Sequence, residues 1–395
     1  MAAISKSVEK ALKQAPRIRE ELSQLREILL SNLAMTSEIP APTFGEEDRV
    51  RFLLDRFREC GLDHISSDEA NNGCAVLSGS EGEKNILVAA HLDTVYPASV
   101  DHTITVDQEA VHGAGVADNS LGVAVLASLP TLFEKLDIQL KSNLIIVGAS
   151  RGLGRGNIEG MTFFLENFDK PIAAGVCVEG IELGRLSFAS VGMLRAEITC
   201  TIDDDDDLQE IGASGAVGIL SDIIHRIERI PLPQKPRTKI ILGSCSAGKG
   251  FNTVPRTASL RLEVRSEETG MVSNIENDLA EIIEEMESLS GAKVTMESIA
   301  RRRPGGIEFG HPLTVGIRRI MDTLDIEPEI EPSVSELSML IEKNVPGVTL
   351  GITHEADSAD DATESILIEP MAAGLAQLIA LLQAIDGGLL DGKRK

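Results

Sequence analysis

Two hydrophobic patterns follow one another along this chain, and their order constrains the fold more than any single motif does. Through about residue 185, short apolar runs ("GCAVLSGS", "NILVAAHLD", "NLIIVGAS", "AAGVCVEG") alternate with helical stretches such as "NSLGVAVLASLPTLFEKL" and "NIEGMTFFLEN". That alternation predicts a mixed α/β sheet packed between helices. After it, "RLSFAS", "MLRAEITCTI", "KIILGSCSA" and "TASLRLEVRS" alternate apolar with polar residues, as half-buried antiparallel strands do. Two helical stretches, "GAVGILSDIIHRIERI" and "NIENDLAEIIEEME", lie among them. From about residue 303 the first pattern resumes with "PLTVGIRRIMDTL", "GVTLGI" and "EPMAAGLAQLIALLQAI". The expected architecture is one α/β domain, residues 1–185 and 303–395, interrupted by an α+β insertion of ferredoxin-like order over residues 186–302.

The 395 residues suffice for two or three domains with cores of their own, and 43% hydrophobic content is ordinary for a soluble protein. A net charge of −25 repels nucleic acid and anionic membranes, so neither is an expected partner. Five scattered cysteines without a C-x-x-C pair fit a reducing compartment, and the cytoplasm is the expected location. The charged N-terminal segment lacks the apolar centre of a signal peptide, and no run in the sequence approaches transmembrane length. That segment reads as one amphipathic helix carrying Leu22, Leu25, Ile28 and Leu29. Thr43 and Glu46 suggest a capping box before the next helix. The acidic run at residues 203–207 reads as a solvated loop, and the tail "DGGLLDGKRK" as frayed.

The stretch "NLIIVGASRGLGRGNIEG", residues 143–160, raises a separate question. Glycines after a strand let backbone N–H groups approach a pyrophosphate, so "GASRGLG" could open a dinucleotide site. About 140 residues precede it, however, whereas a short-chain dehydrogenase carries this turn at its first strand. That chemistry also needs a tyrosine followed four positions on by lysine, and the sole tyrosine, Tyr96 in "YPASV", has none. A tight strand-to-helix turn is the preferred reading.

Three other segments carry metal-site chemistry. "VAAHLDTVYP" ends a buried strand on His91, with Asp93 two residues on to orient the imidazole. "HGAGVADNSLG" places Asp118 at a glycine-loosened turn opening a helix, and "VCVEGIELG" puts Glu179 at another strand end. One imidazole and two carboxylates suit zinc or a similar divalent ion.

In order and spacing these segments resemble the dinuclear zinc peptidase and deacylase family, which includes aminoacylase, acetylornithine deacetylase, succinyl-diaminopimelate desuccinylase and tripeptidase T. The resemblance spans essentially the whole chain. It implies a hydrolase-like metallopeptidase domain with an inserted lid and dimerisation domain, and hence a homodimer. It places His91, Asp118 and Glu179 on metal-ligand positions and Asp93 on the histidine-orienting position. In "FNTVPRTASLRLEVRS" it makes Asn252 and Arg265 substrate contacts.

The chain departs from the family pattern at three places. The family strand matching "NLIIVGAS" runs into a Glu-Glu pair, of which the first is the general base and the second a metal ligand. Here those positions hold Gly152 and Leu153, or Ser150 and Arg151 in a shifted register. Glu159 and Glu182 are the nearest substitutes. Near the C-terminus, in "VTLGITHEADSADDATESILIEP", Asp360 stands where the family has a ligand histidine; Glu364 is kept, and His354 lies six residues before Asp360. The family's Gly-Gly-His-Ser element is replaced by "IDDDDDLQEIGASG". The resemblance therefore predicts an amide hydrolase of small peptides or N-acyl amino acids holding about one zinc, manganese or cobalt ion, its activity impaired. The alternative is a non-catalytic homologue that binds an amino-acid-like ligand or a partner.

Overall fold

In the computed structural model the described residues are 6–203, 214–356 and 363–391. They form two compact units, Met1–Ala189 with Gly306–Lys395, and Ser190–Gly305.

The first unit is built on an eight-stranded sheet in the spatial order 63–67, 73–77, 143–149, 85–91, 172–179, 347–351, 185–187, 329–330. Its four central strands, from 143–149 to 347–351, run parallel. The flanking pairs 63–67 with 73–77 and 73–77 with 143–149 are antiparallel. Parallel strands need both faces covered, and every residue of Asn85–His91 is buried. The period of two divides this strand between two cores. Ile86, Val88 and Ala90 face helices Glu47–Glu59, Leu121–Lys135 and Met371–Asp386, whereas Leu87 and Ala89 face Glu159–Asn167 and Leu337–Glu342. Because the central strands are parallel, their carboxyl ends lie along one edge, where open α/β sheets bind ligands.

The second unit follows the order strand, helix, two strands, helix, strand: Gly192–Thr201, Gly215–Glu228, Thr238–Ala247, Thr257–Ser266, Met271–Ser290 and Lys293–Arg302. Its antiparallel sheet runs 238–247, 257–266, 192–201, 293–302 in space, the ferredoxin-like order. Leu194, Ala196, Ile198, Leu260, Leu262 and Val264 turn to the helices and form a core of their own.

Several local expectations change. The N-terminal segment forms two helices, Lys6–Gln24 and Arg26–Ser37, broken at Leu25 without a glycine or proline to announce it. The "RLSFAS" strand Arg185–Ser187 joins the large sheet through Gly347–Gly351. The tail is packed through residue 391: Leu389 and Leu390 lie against the main core, and Lys84 pairs with Asp391 at 2.5 Å. Among the described residues one helical stretch, Val116–Lys135, is long and apolar enough to cross a bilayer, which the sequence reading did not anticipate. Most of its residues are buried inside the protein, and it serves as a core helix. The five cysteines are all unpaired.

Candidate metal centre

His91 is the last residue of its strand and pairs in register with Ala149, while Glu179 ends the neighbouring parallel strand beside Gly351. Both therefore emerge at the same sheet edge. Asp118 reaches them from the turn Val116–Ser120, which two side chains fix in place. Asn119 donates to the Val178 carbonyl at 2.7 Å, tying the turn to the Glu179 strand. Glu364 accepts from the Ala117 and Asp118 amides at 2.7 and 3.3 Å. Glu364 comes within reach because Glu364–Leu367 pairs antiparallel with Ala110–Gly113. Close approach matters here too: a Cβ on Gly180 would stand 2.2 Å from the Ala117 carbonyl oxygen.

The donor atoms of His91, Asp118 and Glu179 all lie within 4.8 Å of one another, and no other such group occurs among the described residues. His91 Nε2 is 2.9 Å from Asp118 Oδ1 and 3.8 Å from Glu179 Oε2. Tetrahedral zinc with ligand bonds near 2.0–2.1 Å has ligand–ligand edges of about 3.3 Å, which these distances bracket. The Asp118 side chain is 46% exposed and that of Glu179 only 14%, so the cluster opens to solvent on the Asp118 side.

The charge balance also suits a cation. Burial alone would push the His91 imidazole down, but its contacts with Asp118 and Asp93 outweigh this and hold it well above its ordinary value. Burial opposes ionisation of Asp118 and Asp93, yet their contacts with His91 keep both low. Glu179 is pushed up to about 7, first by burial and then by the charges of Glu336 and Asp118, which the His91 charge only partly offsets. Several carboxylates thus crowd one imidazole, a concentration of negative charge that a divalent cation relieves. The donor set fits such an ion.

Asp93 lies beside His91 with a second contact of its own. His91 Nδ1 is 2.9 Å from the Asp93 main-chain oxygen and 3.5 Å from its carboxylate, so the main chain makes the closer orienting contact. The fully buried carboxylate accepts from Gly152 N at 2.9 Å, Leu153 N at 2.8 Å and the Thr43 hydroxyl at 2.7 Å. Glu46 accepts from Arg151 N at 2.8 Å. Three successive amides of the glycine turn are therefore spent on carboxylates, which no phosphate could displace without burying like charges together. This removes the dinucleotide reading.

The same contacts dissolve the capping box. Thr43 and Glu46 turn away from the helix Glu47–Glu59, which begins with no side-chain cap, because charge-assisted bonds at the site are the stronger ones. Arg49, fully buried, donates to the Leu92 and Ile39 carbonyls at 2.8 and 2.7 Å. Burial lowers its guanidinium to about 10, while the charges of Asp93 and Glu46 act in the opposite direction.

Of the other predicted residues, Asp360 lies outside the described residues, as do residues 204–213 of the altered "IDDDDDLQEIGASG" element. His354 is exposed. Asn252, also exposed, and Arg265 belong to the second unit. Arg265 is on the strand face opposite that unit's core and bonds Glu263, which also accepts from Arg195 at 2.5 Å. The proposed substitutes are engaged elsewhere: Glu159 with Arg151 and Glu182 with Arg185, each at 2.7 Å. Arg49 and Glu336 are not legible in the sequence, and Glu46 reads there as a capping residue rather than part of the site. Each is a buried charge, and burial at a turn or on a helix face leaves no local pattern.

One imidazole and two carboxylates thus gather at the edge where the parallel strands end, and comparison with known proteins finds similar folds among peptidases. The sequence profile of Peptidase family M28 matches residues 72–150, the stretch carrying His91, Asp93 and Asp118. No curated protein sequence matches the chain. Among solved structures, the di-peptidase Dug1p from Saccharomyces cerevisiae superposes with a TM-score of 0.74 at 13% identity, over 94% of this chain and 98% of that one. Aminopeptidase PepT from Bacillus cereus gives 0.70 at 15% identity, over 91% and 98%. YXEP of Bacillus subtilis, a dinuclear metal-binding peptidase from the M20 family, gives 0.64 at 14%, over 92% and 98%. The chain has the fold of the M20-type metallopeptidases.

Proposed function

We propose that this protein is a metal-dependent amide hydrolase acting on small peptides or N-acyl amino acids. The observation that carries the proposal is the convergence of His91, Asp118 and Glu179 at the sheet edge of a fold shared with an aminopeptidase, a di-peptidase and a tripeptidase. A divalent cation bound by these three residues would polarise the scissile carbonyl and activate water. The protein's part is to hold the donors in place. Asp93 keeps one ring nitrogen of His91 engaged so that the other faces the carboxylates. Glu364 and Asn119 fix the Asp118 turn, and the solvent-open Asp118 side admits substrate.

The test is a panel of dipeptides, tripeptides and N-acyl amino acids with added Zn²⁺, Mn²⁺ or Co²⁺. Turnover that His91→Ala abolishes, together with loss of the bound ion, is the expected result. We expect about one tightly held ion per chain, because a single complete donor group is present among the described residues. Two equivalents surviving dialysis would contradict that. A second reading, a non-catalytic binding protein, is favoured by Gly152 and Leu153 standing at the family's Glu-Glu pair. Ligand-induced thermal stabilisation without turnover would select it.

A further inference from the structure

The chain has lost the acids of its own glycine turn, yet a carboxylate still stands over that turn. A Cβ placed on Gly152 would lie 2.9 Å from Asp93 Oδ1, 3.0 Å from His91 Cβ and 3.3 Å from Glu336 Oε1. Glu336 is 3% exposed and comes from a different element, the start of the short helix Leu337–Glu342. Its charge also acts on both His91 and Glu179. Glu336 is not one of the compact donor group; its carboxylate stands over Gly152, next to the His91 side chain.

The surrounding chain holds this side chain in a defined place. Leu340 and Leu337 seat the helix on the sheet where glycines allow it. A Cβ on Gly175 would meet Leu340 at 2.5 Å, and one on Gly347 would meet Leu340 at 2.9 Å and Leu337 at 3.0 Å. Upstream, Ser333 N donates to the Ala189 carbonyl at 2.8 Å, and the hydroxyls of Ser333 and Ser335 bond each other at 2.8 Å.

We infer that Glu336 is the proton acceptor of the hydrolysis, supplied from the start of the Leu337–Glu342 helix to the space over Gly152, where a glycine lets its carboxylate approach. The inference rests on the hydrolase reading above. In the step, water adds its oxygen to the amide carbonyl carbon and gives one proton to the Glu336 carboxylate. The C–N bond then breaks, and that proton passes to the leaving nitrogen, which returns the carboxylate to its starting state. A positioned base of this kind contributes about 10²–10⁴-fold.

The experiment compares wild type, Glu336→Gln, Glu336→Asp, Glu336→Ala and His91→Ala in the holo form, by turnover on the panel and by calorimetric titration with Mn²⁺ and Zn²⁺. Glu336→Gln should lower kcat by at least about 10²-fold with KM within a few-fold. Its ion affinity should be retained, where His91→Ala loses it, and Glu336→Asp should recover part of the rate. Formate added to Glu336→Ala should restore some turnover, which a purely structural side chain would not allow. A Glu336→Gln rate within about threefold of wild type overturns the inference and leaves the hydrolase reading standing. Loss of the ion in Glu336→Gln would make Glu336 a ligand and also overturn it. If ion-loaded wild type hydrolyses nothing on the panel, the hydrolase reading fails and this inference falls with it.

Discussion

The Asp93 carboxylate shows how much of the site depends on single side chains. It takes two amide protons and one hydroxyl proton on its two oxygens while lying beside His91. Asp93→Asn would turn an NH₂ group toward at least one buried N–H, so a bond is lost and a donor is stranded. We predict a loss of about 1–3 kcal/mol in denaturant unfolding. Because His91 keeps the Asp93 main-chain oxygen but loses the carboxylate 3.5 Å from its Nδ1, ion affinity should also fall, by about 10-fold, in calorimetric titration. Unchanged stability and affinity together would refute this role. At this scale the sequence was readable where a residue ends a strand or opens a helix, as His91, Glu179 and Asp118 do. It was unreadable where the partner arrives from elsewhere in the chain. Nothing in "SVSELSML" says that Glu336 turns inward to face Gly152, and nothing in "EEDRVRF" says that Arg49 is buried against Leu92.

Among the elements, the central parallel strands are legible as short apolar runs, because a strand buried on both faces must be apolar on both, as Asn85–His91 is, whereas strands such as Asp63–Ser67 and Lys293–Arg302 carry no such run. Helix boundaries were less legible. The break at Leu25 has no glycine or proline to mark it, and the uncapped start at Glu47 follows from the Thr43 and Glu46 contacts with the site, which override local preference. The packing of helix Met371–Asp386 on the sheet offers a test in which two effects have opposite sign. Gly374→Ala gains about 1 kcal/mol of helix propensity. Its new Cβ, however, would stand 2.1 Å from the Ile352 carbonyl oxygen and 2.6 Å from the Ile352 Cα, both backbone atoms that cannot rotate aside. Overpacking of this kind costs about 1–3 kcal/mol or more, so it should outweigh the propensity gain. Net destabilisation in thermal and denaturant melts is the expected result. A stabilised variant would mean that this helix can slide on its strand.

For the whole molecule, the consequence of two separate cores is that a bound ion should act on one of them. The proposed ligands lie entirely within the first unit, on segments that also carry its sheet, whereas the second unit has a core composed only of its own residues. An ion that binds the folded first unit stabilises it by mass action, by about 2.7 kcal/mol at a hundredfold excess over Kd. Hydrogen exchange with and without Mn²⁺ or Zn²⁺ should therefore show slowed exchange in Asn85–His91, Val116–Ser120 and Ile172–Glu179. Gly215–Glu228 and Thr257–Ser266 should exchange at unchanged rates. In His91→Ala the slowing should disappear while the second unit keeps its pattern, which separates loss of the ion from loss of the fold. Slowing spread equally over both units would mean that they unfold as one body and that their separate cores do not act separately. Slowing confined to the second unit would place the cation away from His91 and remove the metal centre proposed here.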